Sequence, residues 1–199
     1  MTVTGIVLAG GRSTRFGRDK LAEPIEGLPM LQHAVLRVAE VCAEVVIAVG
    51  PGAPDPPLPE GLSARVVRDA VPDGGPLFGT AAGLAAATGE VALLVAGDMP
   101  ELHLPVLREL VRVAEEDPVE AVVLHEGEGF RPLPCALRVA RAREVAQERL
   151  ASGERSLYAL LNALRIAVVE EATWRALDPG GRTVRDVDEP RDLRDGPGS

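Results

Sequence analysis

The chain contains few aromatic residues and few cysteines. Aromatic residues make up 3% of its 199 residues, so a core within its hydrophobic content of 46% must be built from Val, Leu and Ala. Such a composition suits a sheet covered by helices. Its two cysteines, Cys42 and Cys135, are far apart among apolar neighbours and show no C-x-x-C spacing. This pattern predicts core thiols rather than a metal or redox centre.

The chain also lacks an excess of positive charge and any long apolar run. A net charge of −9 argues against a general nucleic-acid binder, which needs a basic face. No basic leader and no run of about 18 apolar residues is found, so we expect a cytoplasmic protein without a membrane segment. The length suits one domain, which we expect over residues 1–195, with a disordered tail at 196–199.

Short apolar segments alternate with segments of helical periodicity. The predicted strands are 4–8, 45–49, 65–68, 91–95, 120–124, 133–137 and 166–169. The predicted helices lie within 30–43, 80–88, 104–116, 139–151 and 156–164. This alternation predicts a Rossmann-like α/β fold with a mostly parallel sheet and right-handed crossovers.

A glycine-rich, basic loop follows the first predicted strand. It carries Gly10, Gly11 and Gly17, and its one acid, Asp19, stands against four cations, which are Arg12, Arg15, Arg18 and Lys20. Glycine lets backbone N–H groups approach phosphate oxygens while the cations offset their charge, so the loop predicts an anionic ligand. Its spacing does not match a P-loop.

Lys20 is the only lysine among 21 basic residues. A compact ammonium on a flexible stem differs from a planar guanidinium and can follow a phosphate through a reaction. We therefore predict a phosphate-binding role for Lys20.

Asp98 follows the most apolar predicted strand, 91–95. A carboxylate there can hold Mg²⁺ against substrate phosphates, or it can cap the helix that follows Pro100. Ligands of such sheets bind beyond the carboxyl ends of the strands. The polar clusters after the first, third and fourth strands can therefore converge on one cleft.

Residues 8–20, L-A-G-G-R-S-T-R-F-G-R-D-K, resemble the signature of the molybdenum cofactor guanylyltransferases, the MobA family, with Phe16 where methionine is usual. Segment 97–100 is similar to the family's C-D-T-P, although Gly97 and Met99 depart from it. Segment 185–193 resembles the closing N-x-N-T-P-E-D-L, with aspartates in place of both asparagines. The resemblance covers most of the chain and is strongest over 6–20.

This resemblance implies a three-layer nucleotidyltransferase fold and a Mg²⁺-dependent enzyme. The implied reaction transfers GMP from GTP to the phosphate of molybdopterin or Mo-molybdopterin and releases pyrophosphate. Lys20 and Arg15 would steady the triphosphate and the departing pyrophosphate, and Asp98 would hold the metal.

The resemblance also implies a set of nucleotide contacts. The guanine base would be selected by Asp69, with Gly79 lining the pocket, because a carboxylate can accept from both N1–H and the 2-amino group. Asp69 could instead lie near the ribose or form a turn. The nucleotide would be seated on the backbone of Leu8, Ala9, Gly10 and Gly11.

Weaker parts of the resemblance concern the metal and the second substrate. Asp186 or Asp188 would join Asp98 at the metal, unless the two only cap a surface helix. Arg131 would face the anionic molybdopterin. A molybdenum-insertion protein and the molybdoenzyme that receives the cofactor are the implied protein partners.

Two other interpretations remain open from the sequence. The enzyme could use CTP or another phosphorylated acceptor, such as a sugar phosphate. Alternatively, the chain could be a non-catalytic carrier that binds molybdopterin or a nucleotide and delivers it to an apoenzyme.

Overall fold

A computed structural model describes residues 1–10, 20–116 and 118–187. The strands in this part of the chain are β1 (Val3–Ala9), β2 (Pro24–Ile25), β3 (Leu28–Pro29), β4 (Glu44–Val49), β5 (Arg65–Arg68), β6 (Val91–Ala96), β7 (Ala121–Glu126), β8 (Gly129–Arg138) and β9 (Ile166–Val169). The helices are α1 (Met30–Ala39), α2 (Pro76–Ala86), α3 (Leu104–Glu116), α4 (Val139–Ala151), α5 (Leu157–Leu161) and α6 (Glu171–Leu177), with 3₁₀ turns at Lys20–Ala22 and Arg182–Val184.

Seven of these strands form one sheet in the order β5-β4-β1-β6-β8-β7-β9. All neighbours pair in parallel except β8, which runs antiparallel to both β6 and β7. The carboxyl ends of β1, β4, β5 and β6 therefore lie along one edge of the sheet, which we call the carboxyl edge. Because β8 is reversed, its amino-terminal end reaches this same edge.

Alternate residues of each central strand point to opposite faces, as the pleat requires. In β6, Val91, Leu93 and Val95 pack with α1, α3 and α6, whereas Ala92 and Leu94 pack with α2, α4 and α5. Both faces of the sheet are thus buried, and this explains why its strands read as continuous apolar runs. The predicted three-layer, mostly parallel architecture is confirmed.

Both cysteines are free thiols, with Cys135 buried and Cys42 half-buried against the core. Burial raises the pKa of Cys42 and of Cys135 to about 12, which keeps both protonated and unreactive at neutral pH. The prediction of core thiols is confirmed.

The predicted helices at 104–116 and 139–151 match α3 and α4. Helix α2 begins four residues before its predicted start, because Pro76 occupies the first helical turn, where its missing N–H costs nothing. Helix α6 was not predicted, since its seven residues bury only Trp174 and so show no apolar periodicity.

Strand β8 extends four residues beyond its predicted amino-terminal end at 133. Pro132 and Pro134 interrupt its sequence pattern, because proline cannot donate to a strand ladder. The pairing with β7 accommodates them by a register shift between Val122 and Leu124.

The helices among the described residues are all too short or too polar to cross a membrane. The predicted single domain over 1–195 stays a prediction, and the tail at 196–199 lies outside the described residues.

The close packing of α2 on β1 gives a stability test. A Cβ at Gly83 would lie 2.5 Å from Cγ2 of the fully buried Ile6. We expect Gly83→Ala to lower the free energy of unfolding by roughly 1–3 kcal/mol, despite the better helix propensity of alanine. Urea unfolding measures this change.

Gly79→Ala is the matched control, one turn earlier in the same helix. A Cβ there would lie 3.3 Å from the flexible end of Leu8, so we expect a smaller loss. Equal stability of Gly83→Ala and the wild type would contradict the packing described here.

Candidate functional site

An ion pair between Lys20 and Asp98 lies at the carboxyl edge. Nζ of Lys20 is 2.8 Å from Oδ2 of Asp98, and the two side chains are 12% and 26% exposed. Lys20 begins the 3₁₀ turn after the glycine-rich loop, and Asp98 follows β6 by two residues. The structure therefore brings together the two residues to which the sequence assigned the most direct chemical roles.

The backbone around Asp98 is held from two sides. The N–H of Gly97 donates to the carbonyl oxygen of Leu8 at 2.9 Å, and the N–H of Val187 donates to the carbonyl oxygen of Asp98 at 3.1 Å. A Cβ at residue 97 would lie 2.8 Å from Cδ1 of Leu31. A larger residue there would require the end of the Leu31 side chain to move away.

Asp69 lies at the same edge, directly after β5. Its N–H donates to the carbonyl oxygen of Val49 at 3.1 Å, and a Cβ at Gly10 would lie 3.7 Å from its Oδ2. The carboxylate therefore faces the start of the glycine-rich loop. Gly10, which was predicted with Leu8 and Ala9 to seat the nucleotide, lies beside this carboxylate just after β1.

The Asp69 carboxylate has an unsatisfied buried oxygen. Oδ1 is buried and has no hydrogen-bond partner among residues 1–10, 20–116 and 118–187. Burial raises the pKa of Asp69, and a hydrogen bond from the Val71 backbone only partly opposes this. A buried acceptor without a partner is a candidate for ligand binding, since native structures satisfy most buried polar atoms.

Gly79 lies buried in α2 against two strands. A Cβ there would be 3.3 Å from Cδ2 of Leu8 and 3.8 Å from Cβ of Ala48. Packing of α2 on the sheet accounts for this glycine, and its contact with a nucleotide stays a prediction.

Arg131 and Asp186 are bonded to each other. Nη2 of Arg131 lies 2.9 and 3.0 Å from the two carboxylate oxygens of Asp186, and Nη1 lies 3.2 Å from Oε2 of Glu126. Burial lowers the pKa of Arg131, but the two carboxylates outweigh it and raise that pKa. The predicted roles of Arg131 with molybdopterin and of Asp186 with a metal stay predictions.

Glu126 was not predicted from the sequence as a residue of the site. It ends β7 and pairs in register with Gly129 at the start of β8, across a tight turn in which Gly127 has φ of 61°. The E-G-E-G segment at 126–129 is the signal that could have placed Glu126 beside Arg131, because glycine with positive φ favours a hairpin.

Three predicted site residues, Gly11, Arg15 and Asp188, lie outside the described residues. The described part of the chain holds no group of three or more His, Cys, Asp or Glu side chains able to bind a metal ion. Asp98 still fits Mg²⁺, which commonly takes one or two carboxylates and completes its shell with water and substrate phosphates.

Comparison with known proteins identifies one family. The family model described as the MobA-like NTP transferase domain matches residues 5–168. The molybdenum cofactor guanylyltransferase of Desulfosudis oleivorans is 35% identical over 179 residues, which cover 89% of this chain and 85% of that protein. The protein named "probable molybdenum cofactor guanylyltransferase" in Chloroflexus aggregans is 32% identical over 201 residues, covering 98% and 93% of the two chains.

Solved structures share the fold. The molybdopterin-guanine dinucleotide biosynthesis protein A of Archaeoglobus fulgidus superposes with a TM-score of 0.77 at 19% identity, covering 96% of this chain and 95% of that one. The 2-C-methyl-D-erythritol 4-phosphate cytidylyltransferase of Thermus thermophilus gives 0.69 at 20% identity, covering 95% and 94%. The predicted nucleotidyltransferase fold is confirmed.

The environment of Asp69 predicts a pH-dependent stability. Its pKa in the folded state lies above the ordinary value of 3.8, so the wild type loses stability as pH rises from 3.8 through the folded pKa. Asp69→Asn removes this charge. We expect the variant to be more stable than the wild type at pH 7, with an advantage that shrinks as pH falls toward 4, measured by urea unfolding.

Asp55→Asn serves as the control, because Asp55 is 68% exposed in a surface ion pair with Arg68 and should affect stability little. An Asp69→Asn variant that matches the wild type at pH 7 would show that burial of this carboxylate carries no cost.

Proposed function

Because this chain belongs to the MobA-like NTP transferase family, we propose that it transfers GMP from GTP to the phosphate of molybdopterin and releases pyrophosphate. The observation that carries this proposal is the Lys20–Asp98 pair, which lies at the carboxyl edge beside the end of β1. A reaction that consumes GTP fits the cytoplasm, which we propose as its compartment.

In the proposed reaction an oxygen of the acceptor phosphate attacks the α-phosphorus of GTP. The bond from the α-phosphorus to the bridging oxygen breaks, and pyrophosphate leaves with that electron pair. The attacking oxygen is already anionic, so no side chain need act as a base. Catalysis then depends on positioning and on stabilising the charge of the phosphates.

Lys20 supplies the positive charge on the protein side. Its ammonium rests on Asp98 in this structure, 2.8 Å away, and a triphosphate in the cleft offers it anionic oxygens of the same kind. We propose that Lys20 holds those oxygens and follows the charge onto the departing pyrophosphate. The flexible lysine stem permits this movement, whereas the planar guanidinium of arginine favours one fixed geometry.

Asp98 is the residue that we propose to hold Mg²⁺. When bound, the ion would neutralise phosphate charge and bring the reacting groups together. The two backbone hydrogen bonds at Gly97 and Asp98 keep this carboxylate at the carboxyl edge.

We propose that Asp69 selects the base. Its buried Oδ1 lacks a partner among the described residues, and the carboxylate faces the loop that would seat the nucleotide. N1–H and the 2-amino group of guanine form a donor pair that matches a carboxylate, and cytosine and adenine do not present this pair. Transfer of the product to a molybdenum-insertion protein or to a molybdoenzyme stays a prediction.

Pyrophosphate release with GTP, CTP or ATP tests the proposal in the presence of molybdopterin and Mg²⁺. We expect pyrophosphate release with GTP but not with CTP or ATP. Lys20→Gln and Asp98→Asn should each lower kcat by about 100-fold or more, since each removes a charge that acts on the reacting phosphates. Asp69→Asn should instead reduce the preference for GTP.

Glu101→Gln is the control, because Glu101 lies near Asp98 in the chain but pairs only at 3.9 Å with the surface residue Arg182. Equal turnover of all three nucleotides would contradict the role of Asp69. Binding of molybdopterin without pyrophosphate release from any nucleotide would favour a carrier.

A further inference from the structure

We infer that Arg131 is a positioning residue, which acts through Asp186 to hold segment 185–187 against Asp98. Arg131 and Asp186 are separated by 55 residues in the chain, and their bond ties the start of β8 to the segment that follows the last 3₁₀ turn. The inference rests on the proposed function, which makes the position of Asp98 important for the reaction. The contacts that hold Asp98 can be tested without any reaction.

The first step is the ion pair. One guanidinium nitrogen lies within 3.0 Å of both oxygens of Asp186, and the other terminal nitrogen is shared with Glu126 at 3.2 Å. Charge-assisted bonds of this kind are among the stronger ones in proteins. Arg131 is 23% exposed and Asp186 is 41% exposed, so the pair is partly screened by water and holds mainly through its two-oxygen geometry.

The second step is the residue after Asp186. Val187 is buried at 7% exposure, and its N–H donates to the carbonyl oxygen of Asp98 at 3.1 Å. A shift of Asp186 away from Arg131 would move this adjacent donor. The ion pair therefore controls a hydrogen bond to the backbone of Asp98.

The third step is the opposite side of Asp98. The Gly97 N–H is bound to Leu8 in β1, and the Asp98 carboxylate is bound to Lys20. Asp98 thus lies between β1 and segment 185–187, and its carboxylate points at the cation. Loss of the Val187 bond would free one side, and a displacement of about 1 Å at a reacting centre can cost about 100-fold in rate.

The charge around Arg131 favours this role over direct binding of an anionic substrate. Glu126 and Asp186 both accept hydrogen bonds from one guanidinium, so both of its terminal nitrogens already have carboxylate partners. An anionic ligand would have to displace a carboxylate to reach Arg131.

The single lysine of the chain provides a direct test. Isotope-labelled lysine gives one side-chain NMR signal, from Lys20, in the full chain without substrate. We expect Arg131→Met and Asp186→Asn to shift this signal and to speed deuterium exchange at the Val187 amide at least 10-fold. The double variant should be no worse than either single one, because both act through the same bond.

Arg138→Met is the matched control, since Arg138 lies on the same strand at the opposite edge of the sheet and contacts Met1 there. It should change neither the Lys20 signal nor Val187 exchange. For Arg131→Lys we expect a Lys20 signal and a Val187 exchange rate between those of Arg131→Met and the wild type, because lysine retains the charge but not the planar geometry.

Kinetics then separate positioning from substrate binding. For Arg131→Met we expect kcat to fall about 10–100-fold with KM values for GTP and molybdopterin nearly unchanged. An unmoved Lys20 signal would overturn the inference, and a raised KM for molybdopterin with that signal unmoved would show that Arg131 contacts the substrate. If the wild-type chain does not transfer a guanylyl group, only the proposed function is contradicted. The inference is still tested, because the Lys20 NMR signal reports on the position of Asp98 without any reaction.

Discussion

The parallel pairing of β1 with β6 is the contact on which the site depends. Gly10 and Asp98 follow strands that are far apart in the chain, yet Leu8 pairs with Ala96. The hydrogen bond from Gly97 to Leu8 extends this pairing past the end of β6. The chain therefore leaves β1 and β6 at neighbouring points, which places the start of the glycine-rich loop beside the segment that carries Asp98. The Lys20–Asp98 ion pair and the hydrogen bond from Val187 both build on this arrangement.

The carboxylates of Asp98 and Asp69, both at the carboxyl edge, differ in their electrostatic surroundings. Asp98 is neutralised by Lys20, so its charge costs the fold little before a ligand arrives. Asp69 has no such cation among the contacts described, and burial raises its pKa. A charge that folding disfavours is typical of a site kept for binding, where stability is given up for function. Asp98 therefore has a cation beside it, whereas Oδ1 of Asp69 has no partner among the described residues.

Much of the fold follows from local sequence, and so does part of the site. Helix α3 and strand β5 have the predicted bounds because their patterns are decided by the residues within them. Asp98 was identifiable because it comes two residues after an apolar strand, and Asp69 because the family resemblance placed it at the nucleotide. The cluster around Arg131 was not, since it joins β7, β8 and segment 185–187 through a reversed strand whose prolines hide its length. Long-range contacts of this kind leave no periodic trace in the chain.

The reversed strand also determines how the chain can fold as it is synthesised. Strands β1, β4, β5 and β6 and their helices lie within the first 96 residues, but the second edge of β6 is covered only by β8, which ends at residue 138. Translation of the intervening 42 residues takes roughly 2–8 s. During that interval β6, whose residues 91–95 are fully buried in the finished protein, has an unpaired apolar edge. The topology thus concentrates the aggregation hazard of the nascent chain in one interval of its synthesis.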